Sequence, residues 1–507
     1  MKNLFLYFRA LLKVPPVFYV CGGTMLSYYG LNFFYKAGKT GAFLLFAAVA
    51  LSVLAFAIVA IMQSKSRDRL SGLIIIACII FGILFGVKER CAAITDVKVM
   101  TGLDPAAITG IEGRLLDDPR TTKTGKGMGT LLLSRSFGKK GLEASARGKV
   151  LVFFPEGAIP RLKEFGRGAD IFVEGTFSSD FESGTVNTKM YRAKGTHVVR
   201  PAPVIDRWRT ACRAALIDVF STPRAAHFGG FSLALLLGIT DNIDRQMQAQ
   251  FLQAGCSHIL ALSGMHLVII CALLAFFLKK PLGLKLSSAI SAVFIIFYVY
   301  IVGGGASLVR AEIMYLTGLA AIFFNLHKSA ALLLSLSFLI QIGLDPSSGD
   351  SVSFVLSYAA LAGILSLGDW FAYIFRGSVP EKIGTPIAVS LGAFASTVVF
   401  SIGFFGELRF IGIIAGLILA PLTDIFMQAS IAYLFLSAVF PPLTVPLSFL
   451  LNIHYDVLQK IAAFASKAPV IIAPASFTTI TLSILLPLAV AFLYFYVKKK
   501  RSVTVVW

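Results

Sequence analysis

The sequence contains few charged residues. Only 14% of its 507 residues are Asp, Glu, Lys or Arg, whereas 57% are hydrophobic, and the mean hydropathy is +0.80. This composition excludes a soluble globular protein and indicates a polytopic α-helical membrane protein. Acidic residues are scarcer than basic ones, with 26 Asp and Glu against 46 Lys and Arg, which gives a formal net charge of +20. The basic excess favours polyanionic partners, either lipid headgroups or nucleic acid.

Cysteine clusters and nucleotide-binding motifs are also missing. The six cysteines show no CxxC spacing, so neither a zinc site nor a disulfide framework is indicated. Residues 123–129, Lys-Thr-Gly-Lys-Gly-Met-Gly, are rich in glycine but lack the Gly-Lys-Ser/Thr of a P-loop. We therefore expect no cofactor, and ATP-driven transport would need a separate motor protein.

Hydrophobic runs predict two membrane regions. In region 1–94 the predicted spans are 17–35, 41–62 and 70–87, without a cleavable signal peptide. Basic residues precede the first span and come after the last one at 498–501, so the positive-inside rule predicts that both termini are cytoplasmic. The later predicted spans are 229–239, 256–278, 284–302, 307–324, 329–344, 351–375, 386–405, 410–440 with a break at Pro421, and 471–497.

Residues 95–205 have a different pattern. Apolar runs shorten to strand length at 111–116, 130–137, 149–154, 170–177 and 189–193, with Gly, Pro, Asp and Ser between them. Short strands separated by turn residues predict a small all-β domain. We expect an OB-like barrel that lies outside the cytoplasm.

Basic clusters in this β domain predict nucleic-acid binding. Single strands are bound without sequence preference by phosphate neutralisation combined with base stacking. The candidate basic residues are Lys139, Lys140, Arg147, Lys149, Arg161, Lys163, Arg192 and Lys194. The neighbouring aromatic residues, which equally fit the core of a barrel, are Phe153, Phe154, Phe165, Phe172 and Tyr191.

Two stretches have the periodicity of amphipathic helices. Residues 206–220, within a connecting segment 206–227, place Trp208 and Phe220 on one apolar stripe. Residues 447–464 place Leu450 and Val457 on a second stripe. Such helices either lie on a membrane surface or pack against a helical bundle.

Polar side chains occur in an apolar run that has no charged residue from 256 to 278. They are His258, Ser263 and His266, and two glycines accompany them, Gly255 just before the run and Gly264 within it. Polar groups at membrane depth need a partner or a water-filled cavity, so we interpret them as functional, with interhelical hydrogen bonding as the alternative. Ser263 and Gly264 also predict a helix break. As metal ligands, the two histidines would be about 80° apart on a straight helix, which disfavours a shared metal.

A second polar stretch begins at three glycines, 303–305. Ser307 and Arg310 come next, inside an apolar run. Arg310 either extends to the membrane surface or faces a polar lumen. Because glycine permits a helix break, residues 263–264, 303–305 and Pro421 are three candidate discontinuities along one pathway.

These stretches match a known pattern. The run Gly255-x-x-His258-x-Leu260-Ala261-x-Ser263-Gly264-x-His266 resembles the signature of the ComEC-type competence proteins. Further similarity is found at Gly303, Ser307, Arg310 and Ala311, at Asp345-Pro346 with Phe354-x-Leu356-Ser357-Tyr358, and at Pro421. Three positions depart from the family pattern: Ala306 replaces a proline, Val355 a glutamine and Gly416 an asparagine.

The resemblance implies an inner-membrane channel that imports single-stranded DNA during natural transformation, with residues 228–507 as the channel domain. The channel residues that it implies are Gly255, His258, Ser263, Gly264, His266, Ser307, Arg310, Phe354, Ser357 and Pro421. The expected partners are single-stranded DNA, membrane lipids, and separate receptor, nuclease and motor proteins.

The family's metal-binding motif, His-x-His-x-Asp-His, does not occur in the sequence, so we expect no nuclease activity and no enzyme. Two alternatives stay open. The first is a transporter of another polyanion, such as a lipid or cell-wall precursor. The second is an intramembrane metal-dependent hydrolase that uses His258 and His266.

Overall fold

The computed structural model describes residues 15–37, 66–97, 99–121, 126–155, 166–179, 186–326, 329–376 and 378–472. The chain divides into two compact units. The first consists of Met1–Cys212 with Leu316–Gly349, and the second of Arg213–Tyr315 with Asp350–Trp507. The described residues are mostly helical with a small β region, which confirms the predicted class.

The helices are α1 (Pro16–Ala37), α2 (Ser66–Val97), α3 (Val204–Phe220), α4 (Gly229–Leu237), α5 (Arg245–Gln253), α6 (Ser257–Leu260), α7 (Gly264–Val302), α8 (Ala306–Phe323), α9 (Ala330–Leu344), α10 (Val352–Gly363), α11 (Asp369–Phe375), α12 (Glu381–Phe405), α13 (Ile411–Val439) and α14 (Thr444–Ala465). The strands are β1 (Met100–Thr101), β2 (Ile108–Leu115), β3 (Arg120–Thr121), β4 (Gly127–Gly138), β5 (Glu143–Arg147), β6 (Lys149–Phe154), β7 (Asp170–Ser179), β8 (Val186–Arg200), β9 (Glu407–Leu408) and β10 (Ile471–Ile472).

In the first unit, α1 and α2 cross closely because glycines face the partner helix. A Cβ on Gly82 would lie 2.2 Å from the carbonyl oxygen of Val20, so no larger residue fits there. The Thr24 hydroxyl donates to the Gly82 carbonyl over 3.1 Å. Small residues allow this close approach between helices in a membrane. Two of the first three predicted spans are therefore helices, and the third, 41–62, lies outside the described residues.

The β region of the first unit forms a ring of five strands. β2 pairs with β4, β4 with β6, β6 with β8, β8 with β7, and β7 with β2 again. Only the β6–β8 pair of this ring is parallel. Alternate side chains point inward, and Val150, Val173 and Tyr191 are fully buried. All five predicted strands are present, whereas the short β1, β3 and β5 were not predicted.

Helix α3 begins in the first unit and buries an arginine there. Arg209 is only 1% exposed, and its two terminal nitrogens donate to the Asp118 carboxylate over 2.9 and 2.7 Å. The helix presents Val204, Ile205 and Trp208 to the outside. An amphipathic helix was predicted here, and the helix is confirmed, but its inner face is built around a charge.

A turn after α9 is held from two sides within the first unit. The turn, Pro346–Asp350, accepts hydrogen bonds from the hydroxyls of Tyr28 and Tyr29 at the carbonyls of Pro346 and Gly349. From strand β6 of the five-stranded ring, hereafter the barrel, Lys149 Nζ donates to Ser347 Oγ over 3.0 Å and lies 3.9 Å from the carboxylate of Asp345. The turn is thereby fixed to α1 and to β6.

Five described helical segments are long and apolar enough to cross a membrane: Gly264–Gly283, Ala306–Phe323, Val352–Phe375, Glu381–Phe405 and Ile411–Val439. Large apolar side chains on them stay exposed, among them Phe276 at 75% and Phe405 at 59%. Lipid, unlike water, accepts such surfaces. The predicted membrane class is therefore supported for the described residues, and the predicted span 471–497 lies almost wholly outside them.

Three predicted spans of the second unit need correction. The stretch 229–239 contains the nine-residue α4, which is almost wholly buried and too short to cross. The stretch 256–278 is not one helix, because α6 ends at Leu260 and α7 starts at Gly264. The predicted break at Pro421 is wrong, since α13 continues through it. Pro421 is exposed, and a long apolar helix tolerates the loss of one backbone hydrogen bond.

Helix α7 is kinked at Gly283, whose φ is 73°, and so corresponds to two predicted spans rather than one. Helices α10 and α11 are joined by a π-helical turn, Ile364–Gly368. Glycines bring this turn against α12: a Cβ on Gly392 would lie 2.7 Å from the Gly368 nitrogen. Backbone therefore meets backbone at the turn.

Helix α14 packs with a different face from the one predicted. Leu451, Tyr455 and Leu458 are buried, whereas the predicted apolar stripe with Leu450 and Val457 is exposed. The helix is apolar on two sides, so sequence periodicity alone could not select the packed side.

Candidate functional site

The start of α7 is set by a serine and a histidine. Ser263 is extended, with φ −114° and ψ 163°, so the chain leaves α6 and turns into α7 at Gly264. The Ser263 backbone N–H donates to Nδ1 of His266 over 3.4 Å. His266 is fully buried at the third helical position. The predicted break at Ser263–Gly264 is confirmed.

A second break, at 303–305, lies between α7 and α8. Gly303 has φ 91°, a backbone conformation that other residues adopt only with strain, so glycine suits this position. Arg213 of α3 donates to the carbonyl oxygens of Ile301 and Val302 at the C-terminal end of α7, over 3.0 and 2.6 Å. The break predicted from the glycines is therefore confirmed, and a guanidinium stabilises it.

Arg310 of α8 lies at the start of α7. A Cβ on Gly264 would lie 2.9 Å from the Ala311 Cβ and 3.2 Å from Nη2 of Arg310. The missing side chain of Gly264 thus leaves room for the guanidinium. Arg310 is 9% exposed, so its side chain is enclosed by protein.

Helix α10 completes this junction of three helices. Nη1 of Arg310 donates to the Ser357 carbonyl oxygen, and its guanidinium carbon lies 5.8 Å from the centroid of the Tyr358 ring. The Ser357 hydroxyl donates to the Ser307 hydroxyl over 2.9 Å. The ring of Phe354 packs against that of Tyr358, with 4.5 Å between their centroids. We call Gly264, Ser307, Arg310, Ser357 and Tyr358 the Arg310 junction.

The positive charge of the Arg310 junction is not balanced. No carboxylate of the described residues forms an ion pair with Arg310, and its Nε has no hydrogen-bond partner. Nε2 of the buried His266 also lacks a partner. Buried charges are normally paired because desolvation costs several kcal/mol per ion. The junction therefore favours the approach of an anion.

The other predicted channel residues are not among these contacts. Gly255, with φ 72°, packs its backbone against Arg409 and Gly412, where a Cβ would lie 3.2 Å from the nearest atoms. His258 is exposed, yet desolvation by the surrounding protein lowers its pKa. Pro421 is on the outer side of α13.

A shared metal site at the two histidines is not supported by their placement. His258 is exposed on α6, whereas His266 is buried in α7. Among the described residues no group of three His, Cys, Asp or Glu side chains could hold a metal ion.

The predicted DNA-binding residues of the barrel have different surroundings. Lys139, Arg147, Arg192 and Lys194 are exposed. Lys149 is not free for a phosphate, because Asp345 and Ser347 engage it. The Lys140 side chain, Arg161, Lys163 and Phe165 lie outside the described residues.

The aromatic residues of the barrel divide in a similar way. Phe154 and Tyr191 are core residues, which confirms the alternative interpretation for them. Phe153 and Phe172 are half-buried.

Sequence reasoning missed Asp118, Arg209 and Arg213, whose partners are remote in the chain. An arginine on the inner side of a predicted helix was a usable signal for Arg209.

A sequence model of the competence protein family matches residues 235–500, which is more than half of the chain. This range contains the whole Arg310 junction. No curated protein and no solved structure matches the chain.

Proposed function

Because the chain belongs to the competence protein family, we propose that it forms a membrane channel through which single-stranded DNA enters the cytoplasm during natural transformation. Family membership supports a role in DNA uptake, and the five candidate spans support a membrane protein. The single observation that carries the channel proposal is the Arg310 junction, where α7 and α8 both begin among apolar helices beside a buried cation. Interrupted helices of this kind line substrate paths in transporters.

We also propose that the five-stranded ring is an OB-like barrel outside the cytoplasm that captures the strand. OB folds bind oligonucleotides on the face of their second and third strands. Here these are β4 and β6, and Phe153 of β6 is in register with Arg192 of β8. An aromatic ring beside a cation suits base stacking with phosphate neutralisation.

The proposal places the protein in the inner membrane with cytoplasmic termini, and it assigns no catalytic step to the chain. A separate DNA receptor, a nuclease that degrades the second strand, and an ATP-driven motor would complete the uptake machinery.

The test is replacement of the chromosomal gene by variants in a transformable host. We expect deletion to abolish transformation while labelled DNA still binds to the cell surface. Arg310→Gln should lower the transformation frequency at least tenfold, about 1.4 kcal/mol in the rate of passage, with the protein still inserted and abundant. The matched control is Lys460→Gln, which removes an exposed charge from α14 and should leave transformation unchanged.

Two outcomes would overturn the proposal. Normal transformation in the deletion strain would exclude a DNA channel. If that strain instead accumulates an anionic lipid or cell-wall precursor, the alternative polyanion becomes the cargo.

A further inference from the structure

Two positive features meet at the first turn of α7. A helix N-terminus carries about half a positive charge, because its first N–H groups lack intrahelical acceptors. Beside it, Nη2 of Arg310 would lie 3.2 Å from a Cβ placed on Gly264, the first residue of the helix. No carboxylate of the described residues pairs with this guanidinium. The turn thus combines the helix dipole with an uncompensated cation.

His266 adds a directed hydrogen-bond donor. Its Nδ1 accepts the Ser263 backbone N–H, so the neutral ring carries its proton on Nε2. This Nε2 is buried and has no hydrogen-bond partner among the described residues, and the same is true of Nε of Arg310. Both side chains are more than nine-tenths buried. Buried donors without acceptors are rare in native proteins, and a bound ion is one explanation for such a pair.

The turn is open on one side. Ala261 and His258 are exposed just before it, and Met265 in its first turn is 41% exposed. An anion that approaches from this side reaches the first turn, where Nη2 of Arg310 lies beside Gly264. Helix N-termini backed by a cation are common phosphate sites.

We propose that the first turn of α7, with Arg310 and His266, binds a phosphodiester group of the translocating strand. The identity of the strand rests on the proposed function, whereas the anion site rests on the contacts at the turn. One cation matches the single charge of a phosphodiester, and none of the groups at the turn recognises a base. Recognition at this site is therefore independent of DNA sequence, as import of arbitrary DNA requires.

The test measures the local charge with a cysteine at the exposed Met265. Met265→Cys is placed in a background whose six native cysteines are replaced by serine or alanine, and the full chain is purified in phospholipid-free maltoside detergent. Modification rates are measured with a negatively charged sulfonate and a positively charged ammonium methanethiosulfonate. Arg310→Gln should lower the ratio of the anionic to the cationic rate about tenfold. The matched control, exposed Arg376→Gln, should change the ratio by less than about twofold.

The second arm identifies the ligand. A twelve-nucleotide thymidine oligomer should slow modification of the cysteine, and the same oligomer with uncharged methylphosphonate linkages should not. Phosphatidylglycerol added to the detergent is the lipid arm and should give no protection. Protection by the lipid alone would overturn the assignment to DNA.

If Arg310→Gln does not fold, Arg310→Met provides the same test, because its unbranched apolar side chain also removes the charge and suits a buried position. An unchanged ratio in a folded variant would overturn the anion site while leaving the channel proposal intact. The reverse outcome combines the two experiments. If the cysteine assay shows charge selectivity and oligomer protection but deletion of the gene leaves transformation normal, the anion site is supported and the proposed function is overturned.

Discussion

The first unit and the Arg310 junction each bury an arginine, but among the described residues only the arginine of the first unit has an ionic partner. Arg209 is 1% exposed and forms two hydrogen bonds with the carboxylate of Asp118. Arg310 is 9% exposed and donates to a backbone carbonyl beside an aromatic ring. A buried arginine that is paired with a carboxylate has its charge balanced and its donors satisfied, so it stabilises the fold. An arginine without a carboxylate partner leaves part of its field available to a ligand, so the two arginines suit different roles.

The same contrast extends to the surroundings. In the barrel, Arg114 pairs with Asp170 and Arg135 with Glu143. Every buried side-chain nitrogen or oxygen of the described residues between 99 and 200 has a hydrogen-bond partner. The second unit leaves buried polar atoms unpaired at several described positions, namely Gln250, His266, Arg310, Thr423, Asp424, Asn452 and His454. Stability explains the first pattern. Unpaired buried polar groups cost free energy unless a ligand or water satisfies them, so the second pattern suits a region that binds a ligand.

Breaking the structural pair should have the largest effect. Asp118→Ala leaves Arg209 buried without its carboxylate, and we expect a loss of about 3–5 kcal/mol in the free energy of unfolding. Thermal unfolding of the full chain in detergent, followed by circular dichroism, measures the change. Glu143→Ala is the control, because it breaks an exposed pair and should cost no more than about 1 kcal/mol. Equal stability of the two variants would mean that Asp118 does not hold Arg209.

Crowding the junction should have the next largest effect. Gly264→Ala places a Cβ 2.9 Å from that of Ala311, so the helices must shift, at a cost of about 1–3 kcal/mol. Gly403→Ala in α12 is the control, because nothing lies within 4 Å of the added Cβ. The control protein should be as stable as the parent or slightly more so. If the two variants have the same melting temperature, the close approach at Gly264 does not constrain the packing.

The unpaired groups of the second unit should add a pH dependence. Burial lowers the pKa of His454, so the unfolded chain takes up this proton more readily than the folded one. Stability from the neutral ring is complete above the ordinary pKa of about 6.5 and is lost as the pH falls below it. His454→Leu removes this ring, so the free energy of unfolding should fall less between pH 7 and pH 5 than it does in the parent protein. The difference between the two proteins, measured by their melting at the two pH values, should be at most about 1.4 kcal/mol per pH unit. Parallel pH profiles of the two proteins would contradict this prediction.

The smallest effect should come from the serine hydroxyls. Ser357→Ala removes the 2.9 Å bond to Ser307 but leaves the carbonyl that accepts from Arg310. We expect a cost of about 0.6 kcal/mol and normal transformation. A large loss of uptake would show that the hydroxyl, rather than the carbonyl, serves the strand.

Much of this arrangement could be predicted from local sequence. Alternating apolar residues located the five long strands, and Ser263, Gly264 and the glycines at 303–305 located the helix breaks, because backbone preferences act over a few residues. The prediction of a helix break at Pro421 failed because it rested on local preference alone. Proline disfavours a helix interior, but here the long apolar helix continues through it.

Pairings remote in the chain could not be predicted. Lys149 belonged to a basic cluster, and nothing near it indicated that Ser347, 198 residues away, would accept its hydrogen bond. Asp118 and Arg209 are 91 residues apart, and each alone fits an exposed position. Their contacts depend on the packed fold, which composition and periodicity do not determine.

The π-helical turn at Ile364–Gly368 also bears on how the chain tolerates length changes. A π-turn contains one residue more than an α-helix needs to cover the same rise. Deletion of one residue there would let α10 continue into α11 as an ordinary helix, with Ser357 and Tyr358 upstream keeping their register. Because the extra residue is contained within the turn, α11 would keep its orientation, whereas deletion of one residue within α10 would rotate the chain beyond it by about 100°. The turn is therefore the point at which a one-residue deletion leaves both α11 and the residues that hold Arg310 in place.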